Sequence, residues 1–281
     1  MKFEFPDELV RDLARGNTVI IAGAGVSAGC VDNHGKRPPT WSQLLDMFCE
    51  GLPDAVLDCV RERIAKEDFL TASELAFDHS RRNEIFPKLE KLLIKRYNPT
   101  DVHKALVGLA QRIYVTPNFD KILDTHFANE FSEGVSVKIN IQDDLVSAVR
   151  SDSVLLIKSH GTIDDRKSII LTRSDYARAR VHHSSFYRVL DSLFLTRTVL
   201  FVGCGTKDPD IELLLEDANL RYPDAPPHYM IKLRSPEEAA FDSVIEKTRN
   251  IVMLYYEDNH SQLPLLLSDL VSRVDARRSL I

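Results

Sequence analysis

A short apolar strand followed by a glycine-rich turn constrains this 281-residue chain more than any other feature. Residues 18–22 are Thr-Val-Ile-Ile-Ala, a β-branched run typical of a strand that is buried on both faces. Gly23, Ala24 and Gly25 follow at once, and Ser27 lies in the same turn. A buried strand that runs into such a turn at a helix start brings backbone N–H groups close to a phosphate. A tight turn with no ligand has the same local pattern, so the rest of the chain has to decide between the two.

Strand and helix patterns alternate along the rest of the chain. Further strand-like runs lie at residues 112–116, 135–139, 153–158, 168–172, 198–202, 228–233 and 251–255, with helical periodicity between most of them. Residues 42–110 are helical almost throughout, and we predict no strand there. We therefore predict one α/β domain over residues 1–281, a doubly wound, mostly parallel Rossmann-like sheet with an inserted helical subdomain at residues 42–110.

Polar and glycine-rich residues directly follow four of the predicted strands. In a doubly wound sheet the ligand lies across the carboxyl ends of the strands, so four loops of this kind indicate a site more strongly than any one of them. The four loops are residues 23–27, 116–120, 160–161 and 203–206.

Asn118, Asp120 and His160 are the candidate catalytic residues in these loops. An amide can hold a ribose hydroxyl or order a water, and a carboxylate can also stabilise developing positive charge. Histidine suits general-base catalysis near neutral pH. Structural alternatives stay open from the residues alone, because Asn and Asp commonly cap turns and a lone histidine at a strand end is commonly a packing residue.

The last of these loops contains Gly203, Gly205 and Thr206. Its glycines allow a second close approach of the backbone to a ligand. Because Asp208 places a negative charge at the start of the next helix, a phosphate is disfavoured there. A ribose or adenine contact fits this loop better.

Composition excludes several classes of protein. The formal net charge of −6 gives no reason to expect nucleic-acid binding, no run approaches the about 20 apolar residues of a membrane span, and residues 1–7 lack an apolar signal-peptide core. We therefore expect a cytoplasmic protein that does not bind a membrane. The cysteines, Cys30, Cys49, Cys59 and Cys204, have no C-x-x-C spacing, so we expect neither zinc nor a disulfide framework.

Taken together and in order, these motifs resemble the sirtuin (Sir2-like) superfamily. The resemblance rests on Gly-Ala-Gly-Val-Ser at residues 23–27, Thr-Pro-Asn-Phe-Asp at 116–120, His-Gly at 160–161, and the strand that enters Gly-Cys-Gly-Thr at 203–206. It implies an NAD+ molecule extended across the sheet edge, with Asn118 and His160 at the nicotinamide ribose. We then expect the remaining cofactor contacts from Gly23, Ala24, Gly25, Ser27, Thr116, Gly203, Gly205 and Thr206.

The departures from protein-deacylating sirtuins are as informative as the matches. Those enzymes usually carry a four-cysteine zinc module after the His-Gly motif, and this sequence has none. Their Gly-Ile-Pro-Asp-Phe-Arg segment is replaced by Gly-Cys-Val-Asp-Asn-His at residues 29–34. The segments at residues 162–176 and 39–45 instead resemble the bacterial defence-associated Sir2 branch, whose members hydrolyse NAD+ when a phage is sensed.

The resemblance thus implies an NAD+ glycohydrolase that depletes NAD+ in antiphage defence. Asn118 would orient the ribose or the water, His160 would accept a proton, and Asp120 would support the site electrostatically or hold a ribose hydroxyl. Two alternatives remain: an NAD-dependent protein deacylase, and a non-catalytic sensor of NAD or ADP-ribose.

A hydrolase of this kind has to be gated, because constant activity would kill its host. One catalytic sheet and one insert leave no room in this sequence for a separate sensor domain of about 100 residues. We therefore expect a homo-oligomer and an activating partner protein, such as an ATPase encoded in the same operon. Residues 31–39 are expected to form a loop over the site that connects it to the insert.

Overall fold

The computed structural model describes residues 3–79, 82–205 and 208–281. In chain order its helices and strands are α1 (Asp7–Ala14), β1 (Thr18–Ala22), β2 (Val31–Asp32), α2 (Trp41–Phe48), α3 (Asp54–Ala65), α4 (Phe69–His79), α5 (Arg82–Leu93), β3 (Tyr97–Asn98), α6 (Asp101–Gly108), β4 (Ile113–Thr116), α7 (Ile122–Glu130), β5 (Val135–Ile139), α8 (Leu145–Arg150), β6 (Val154–Lys158), α9 (Arg173–His182), α10 (Ser184–Thr196), β7 (Thr198–Val202), α11 (Pro209–Arg221), β8 (His228–Leu233), α12 (Ala239–Arg249), β9 (Ile251–Tyr256) and α13 (Leu263–Arg278).

Seven parallel strands form the central sheet in the order β5-β6-β4-β1-β7-β8-β9. On one side of β1 the chain adds β4, then the edge strand β5, and then β6 between them, before it crosses to the other side at β7. The carboxyl ends of β1 and β7 therefore flank the topological switch point, where doubly wound sheets bind their ligands. The predicted doubly wound α/β class is confirmed.

Two hydrophobic cores cover the two faces of this sheet. Ile20 of β1 packs in the core that α1, α6, α7 and α13 complete. Ile21, its neighbour, packs in the core on the opposite face, with α8, α10, α11 and α12. Successive strand residues point to opposite faces, so a strand buried on both sides is apolar throughout, which explains the unbroken run in β1.

A third core is formed by helices α2–α5, which make up most of the stretch 42–110 that the sequence predicts to be an insert; they are called the insert below. A capping box at Thr40 starts the first of them, with the Gln43 N–H bonded to Thr40 Oγ1 and the Thr40 N–H bonded to Gln43 Oε1. Leu45 and Leu89 are fully buried in this core. Ile163 and Leu171, which follow the His-Gly motif, are buried there too. The insert is therefore packed against the segment that leaves the candidate site.

Local structure differs from the sequence predictions in three places. The stretch predicted to lack strands contains β3, which pairs antiparallel with β2 at the start of the predicted loop 31–39. Residues 168–172 form no strand, because their apolar side chains pack into the insert and α9 rather than at a sheet edge. The glycine turn after β1 leads into one 3₁₀ turn, Ala24–Val26, and not into an α-helix.

The short 3₁₀ turn has a topological cause. The chain reverses at once into β2, so it has no length in which to build an α-helix before Pro38 and Pro39. Helix α6, which packs on the sheet, comes only after the inserted helices. Within the described part of the chain, none of the helices has the length and apolar composition that a membrane span requires.

Two buried histidines make the fold sensitive to acid. Burial, together with nearby His126, lowers the pKa of His103 to about 4, and burial lowers that of His228 to about 4. Both are neutral in the folded protein, and His228 Nδ1 accepts a hydrogen bond from the Val199 N–H at 3.2 Å. In the unfolded chain they titrate near the usual value of about 6.5. As the pH falls from about 6.5 to about 4, the unfolded state therefore binds protons that the folded state does not, and stability falls.

We expect each of these histidines to contribute at most about 3 kcal/mol to this loss. Urea unfolding at pH 7 and pH 4.5 measures it. In His228→Asn, the amide oxygen can still accept from Val199 but nothing titrates, so the free energy of unfolding should depend less steeply on pH than in the wild type. Equal slopes in the two proteins would contradict the assignment.

Candidate active site at the carboxyl edge of the sheet

The turns after β1 and β7 are in direct backbone contact. The Gly23 N–H donates to the Val202 carbonyl at 3.0 Å, and the Gly25 N–H donates to the Gly203 carbonyl at 2.8 Å. Gly203 has a φ of +60°, and a Cβ placed on it would lie 2.5 Å from the Val26 nitrogen. The glycines of both turns therefore serve close packing of one turn on the other, which sets the shape of the crevice between them.

The turn after β1 leaves two hydrogen-bonding groups available. Within this turn the N–H groups of Val26, Ser27 and Ala28 bond to carbonyls of the turn itself, whereas the N–H of exposed Ala24 has no acceptor among the described residues. The Ser27 hydroxyl is buried and has no partner in the described structure. An unpaired buried hydroxyl is costly, so Ser27 is ready to bind a ligand oxygen.

Thr116 and Asn118 connect the loop after β4 to the turn after β1. Thr116 Oγ1 donates to the Ala22 carbonyl at 2.7 Å and accepts from the Asn118 N–H at 3.1 Å. Asn118 Nδ2 donates to the Gly23 carbonyl at 3.2 Å. The Thr116 hydroxyl is thus engaged within the protein and fixes Asn118, whose Oδ1 has no partner among the described residues.

Asp120 lies at the start of α7, above a buried lysine. Its Oδ1 accepts from the Ile122 N–H at 2.8 Å, and its carbonyl accepts from the Lys158 ammonium. Burial raises the pKa of Asp120, although the Ile122 N–H and Lys158 act in the opposite direction. Lys158, which is fully buried, also pairs with Asp124 at 2.7 Å. A buried charge needs such partners, so this lysine anchors the loop from below.

His160, which follows β6, is 8% exposed and forms a buried ion pair. Its Nε2 lies 3.1 Å from Asp208 Oδ2 and 3.2 Å from the Tyr176 hydroxyl. Burial lowers the pKa of His160, but the Asp208 carboxylate and more distant Asp210 raise it by more, so that it lies above the usual value. Burial raises the pKa of Asp208, yet His160 and the N–H groups of α11 bring it below the usual value.

A second layer of polar groups supports this pair. Asp210, two residues after Asp208 in the first turn of α11, accepts from Arg180 at 2.6 Å and from the Tyr187 hydroxyl at 2.7 Å. Asp208 Oδ1 accepts from the backbone N–H groups of Asp210 and Ile211. Helices α9, α10 and α11 are therefore tied together around the histidine.

The structure brings most of the predicted site residues to one edge of the sheet. Thr116 is the last residue of β4, and the loops that follow β1, β4, β6 and β7 contain the turn glycines, Ser27, Asn118, Asp120, His160, Gly203 and Gly205. Thr206 lies outside the described residues. The described residues contain no group of three or more metal-binding side chains.

Three residues of this site were not predicted from the sequence. Lys158 and Tyr176 were given no role, and Asp208 was predicted only at the start of a helix and not as a partner of His160. Lys158 ends the otherwise apolar run of β6, and a lysine in such a run indicates a buried charge that needs a partner near the site. Tyr176 and Asp208 follow His160 by 16 and 48 positions, and only the fold brings them to it.

A cavity of about 740 Å³ lies at the opposite edge of the sheet. It is lined by α1, the end of α10 and the loop before β8, including Phe194, Arg197 and His228. None of the four loops at the carboxyl edge contributes to its lining. Doubly wound sheets bind at the carboxyl edge, so we do not assign this cavity to the candidate active site.

Comparison with known proteins agrees with the class that the fold and the motifs define. The SIR2-like domain family model matches residues 112–254, and the chain belongs to that family. The match spans β4 to β9 and therefore includes Asn118, His160 and Asp208. The predicted membership of the Sir2-like family is confirmed.

Curated relatives are distant and longer. The protein named NAD(+) hydrolase ThsA of Bacillus cereus (strain MSX-D12) is 23% identical over 85% of this chain and 48% of its own length. NAD(+) hydrolase ThsA of Enterococcus faecium is 25% identical over 82% of this chain and 46% of its own length. Defense-associated sirtuin 2 of Bacillus subtilis is 24% identical over 74% of this chain and 20% of its own length. The chain thus spans about half the length of these hydrolases, and less of the defence-associated sirtuin.

Proposed function

We propose that this chain is an NAD+ glycohydrolase, which cleaves NAD+ to nicotinamide and ADP-ribose and depletes cytoplasmic NAD+ in antiphage defence. The observation that supports this most strongly is the His160–Asp208 pair at the sheet edge where a nucleotide would lie, because His160 follows the strand that is paired with the strand before Asn118. The names of the distant relatives, NAD(+) hydrolases and a defence-associated sirtuin, point the same way.

The turn after β1 offers groups that fit the pyrophosphate of NAD+. The unpartnered Ser27 hydroxyl and the Ala24 N–H are both donors, which is what phosphate oxygens require. Gly23 and Gly25 keep the backbone of the turn close to Gly203. We assign the adenosine end to Gly203, Gly205 and Thr206.

The proposed reaction breaks the bond between the ribose C1′ and the nicotinamide nitrogen. The bonding electron pair leaves with nicotinamide, which neutralises its ring, and the ribose passes through an oxocarbenium-like state. Water then bonds to C1′, and His160 accepts its proton, so that NAD+ and water yield nicotinamide, ADP-ribose and a proton. Asn118 Oδ1 orients the ribose or the water, and the Asp120 carboxylate stabilises the developing positive charge.

Product analysis distinguishes this reaction from the two alternatives. Purified protein is incubated with NAD+, with and without an acetyl-lysine peptide, and nicotinamide is quantified by HPLC. A hydrolase releases nicotinamide and ADP-ribose without the peptide, a deacylase releases nicotinamide only with it, and a sensor releases none. A cyclised product in place of ADP-ribose would be a variant of the same cleavage. Because the cysteine spacing does not fit a zinc module, we expect the activity to survive treatment with EDTA.

The inserted helices are in a position to control the site. The Ile163 N–H donates to the Phe119 carbonyl at 2.8 Å, and the Ile170 N–H donates to the His160 carbonyl at 3.2 Å. Ile163 itself packs in the core of the insert, and Arg166 forms a two-point ion pair with Glu90 of α5. A shift of the insert would therefore move the loops that carry both Asn118 and His160.

We propose that assembly through the insert, as a homo-oligomer or with a partner protein such as an operon-encoded ATPase, activates the enzyme. The expected result is NAD+ turnover per chain that rises with protein concentration in parallel with the oligomer fraction. Size-exclusion chromatography with light scattering, read beside turnover, measures both. A monomer whose activity per chain is full and independent of concentration and of any partner would contradict this gate.

A further inference from the structure

We propose that Asp208 is a positioning residue of the active site: its carboxylate holds the Nε2–H of His160 and so makes Nδ1 the nitrogen that accepts the proton. The sequence alone predicts only that Asp208 caps the start of the next helix. The inference rests on the proposed NAD+ cleavage, and it adds the group that sets the orientation of the general base.

The two oxygens of the Asp208 carboxylate have separate partners. Oδ1 accepts from the N–H groups of Asp210 and Ile211 at 3.0 and 3.2 Å, which caps α11. Oδ2 lies 3.1 Å from His160 Nε2. The cap alone uses one oxygen, so capping leaves the second contact unexplained.

A carboxylate can only accept at neutral pH, so the nitrogen that faces it has to bear the proton. Nε2 is therefore the protonated nitrogen of neutral His160, and the Tyr176 oxygen at 3.2 Å shares that hydrogen. No residue that the structure describes bonds to Nδ1. In neutral His160 this nitrogen is the free base, and the carboxylate at Nε2 stabilises the imidazolium that forms when Nδ1 takes a proton.

The charged and titratable groups around the ring come from three elements. Tyr176 and Arg180 belong to α9, Tyr187 to α10, and Asp208 and Asp210 lie at the start of α11. Arg180 and Tyr187 both bond to Asp210, which leaves Asp208 as the carboxylate in contact with the histidine. Removal of the Asp208 charge should therefore lower the pKa of His160.

The test replaces Asp208 with asparagine. Asparagine is as good a helix cap as aspartate, so Oδ1 can still cap α11. Its amide, however, donates to Nε2, which moves the ring proton to Nδ1 and removes the free base. We expect NAD+ turnover to fall by at least about 10²-fold, as with other histidine bases held in the wrong tautomer. The rising limb of any residual activity should move to lower pH.

Nitrogen-15 NMR of the histidine rings reads the tautomer and titration of His160 without NAD+, with a His160→Gln sample to identify its signals. We expect the Nε2–H tautomer in the wild type, the Nδ1–H tautomer in Asp208→Asn, and a lower pKa in the variant. If Asp208→Asn does not fold, Asp208→Ser keeps a capping hydroxyl and lacks the charge, and it should lower the pKa in the same way.

A control is Asp242→Asn, which removes an ion-paired carboxylate from α12 that is more deeply buried than Asp208, and Lys232 keeps Glu238 as a partner. It should change neither the NMR signals of His160 nor turnover. Unchanged tautomer and pKa in Asp208→Asn would overturn the proposal. If Asp208→Asn shows the expected NMR changes but the wild-type protein cleaves no NAD+, the proposed function is wrong. The assignment of Asp208 as the residue that orients His160 would then still stand.

Discussion

Replacement of His160 with alanine is expected to lower NAD+ turnover by about 10² to 10⁴-fold, the usual cost of losing a general base. The imidazole is the ionisable ring at the carboxyl end of β6, and its Nδ1 has no partner among the described residues. Nicotinamide release, followed by HPLC, measures the effect. Turnover close to that of the wild type would remove His160 from the mechanism.

A loss of folding has to be separated from this loss of chemistry, because His160→Ala leaves the buried Asp208 without its ion-pair partner. His160→Gln is the matched variant, since its amide can still donate to Asp208 while it cannot act as a base. We expect it to unfold at nearly the wild-type temperature and to be as inactive as His160→Ala. His228→Asn, at the opposite edge of the sheet, should retain activity.

Asn118→Ala is expected to reduce turnover to a comparable extent. The alanine removes both the bond from Nδ2 to the Gly23 carbonyl and the Oδ1 that would orient the ribose or the water. Misalignment of about 1 Å is by itself enough to cost about 10²-fold. Initial rates of nicotinamide release at saturating NAD+ measure the loss.

Thermal unfolding of the same variant distinguishes catalysis from support of the turn. If Asn118 only connects two loops, Asn118→Ala will lower the melting temperature and leave the rate unchanged, which would contradict a catalytic role. Asn118→Asp provides a further comparison, because it keeps Oδ1 but replaces the amide group that donates to the Gly23 carbonyl with a second, negatively charged oxygen. We expect it to be impaired as well.

The sheet and its ligand edge could be predicted from the sequence because both depend on local patterns. The unbroken apolar run of β1 indicates burial on both faces, and polar residues at the carboxyl ends of parallel strands fall on one edge of the sheet. Asn118 and His160 follow neighbouring strands in the structure, as this argument requires. Their family motifs then identified the class.

What could not be predicted depends on contacts between distant segments. Asp208 precedes a proline at a helix start, which is the pattern of an ordinary helix cap, and it does cap α11. Its second oxygen reaches His160 only because β6 and β7 flank the same pair of central strands, β4 and β1. Lys158 is tolerable in a buried strand because its ammonium donates to the Asp120 carbonyl and to Asp124 of α7, at 2.7 Å from the latter. Two-residue strands such as β2 and β3 are too short to have a periodicity of their own.

The central claim is tested most directly by mixing the purified protein with NAD+ at several protein concentrations and counting nicotinamide and ADP-ribose, with His160→Gln as the blank. We expect many turnovers per chain, equal amounts of the two products, a higher rate per chain at higher protein concentration, and no product above background with the variant. NAD+ that stays intact at every concentration, or cleavage that His160→Gln performs as fast as the wild type, would contradict the claim.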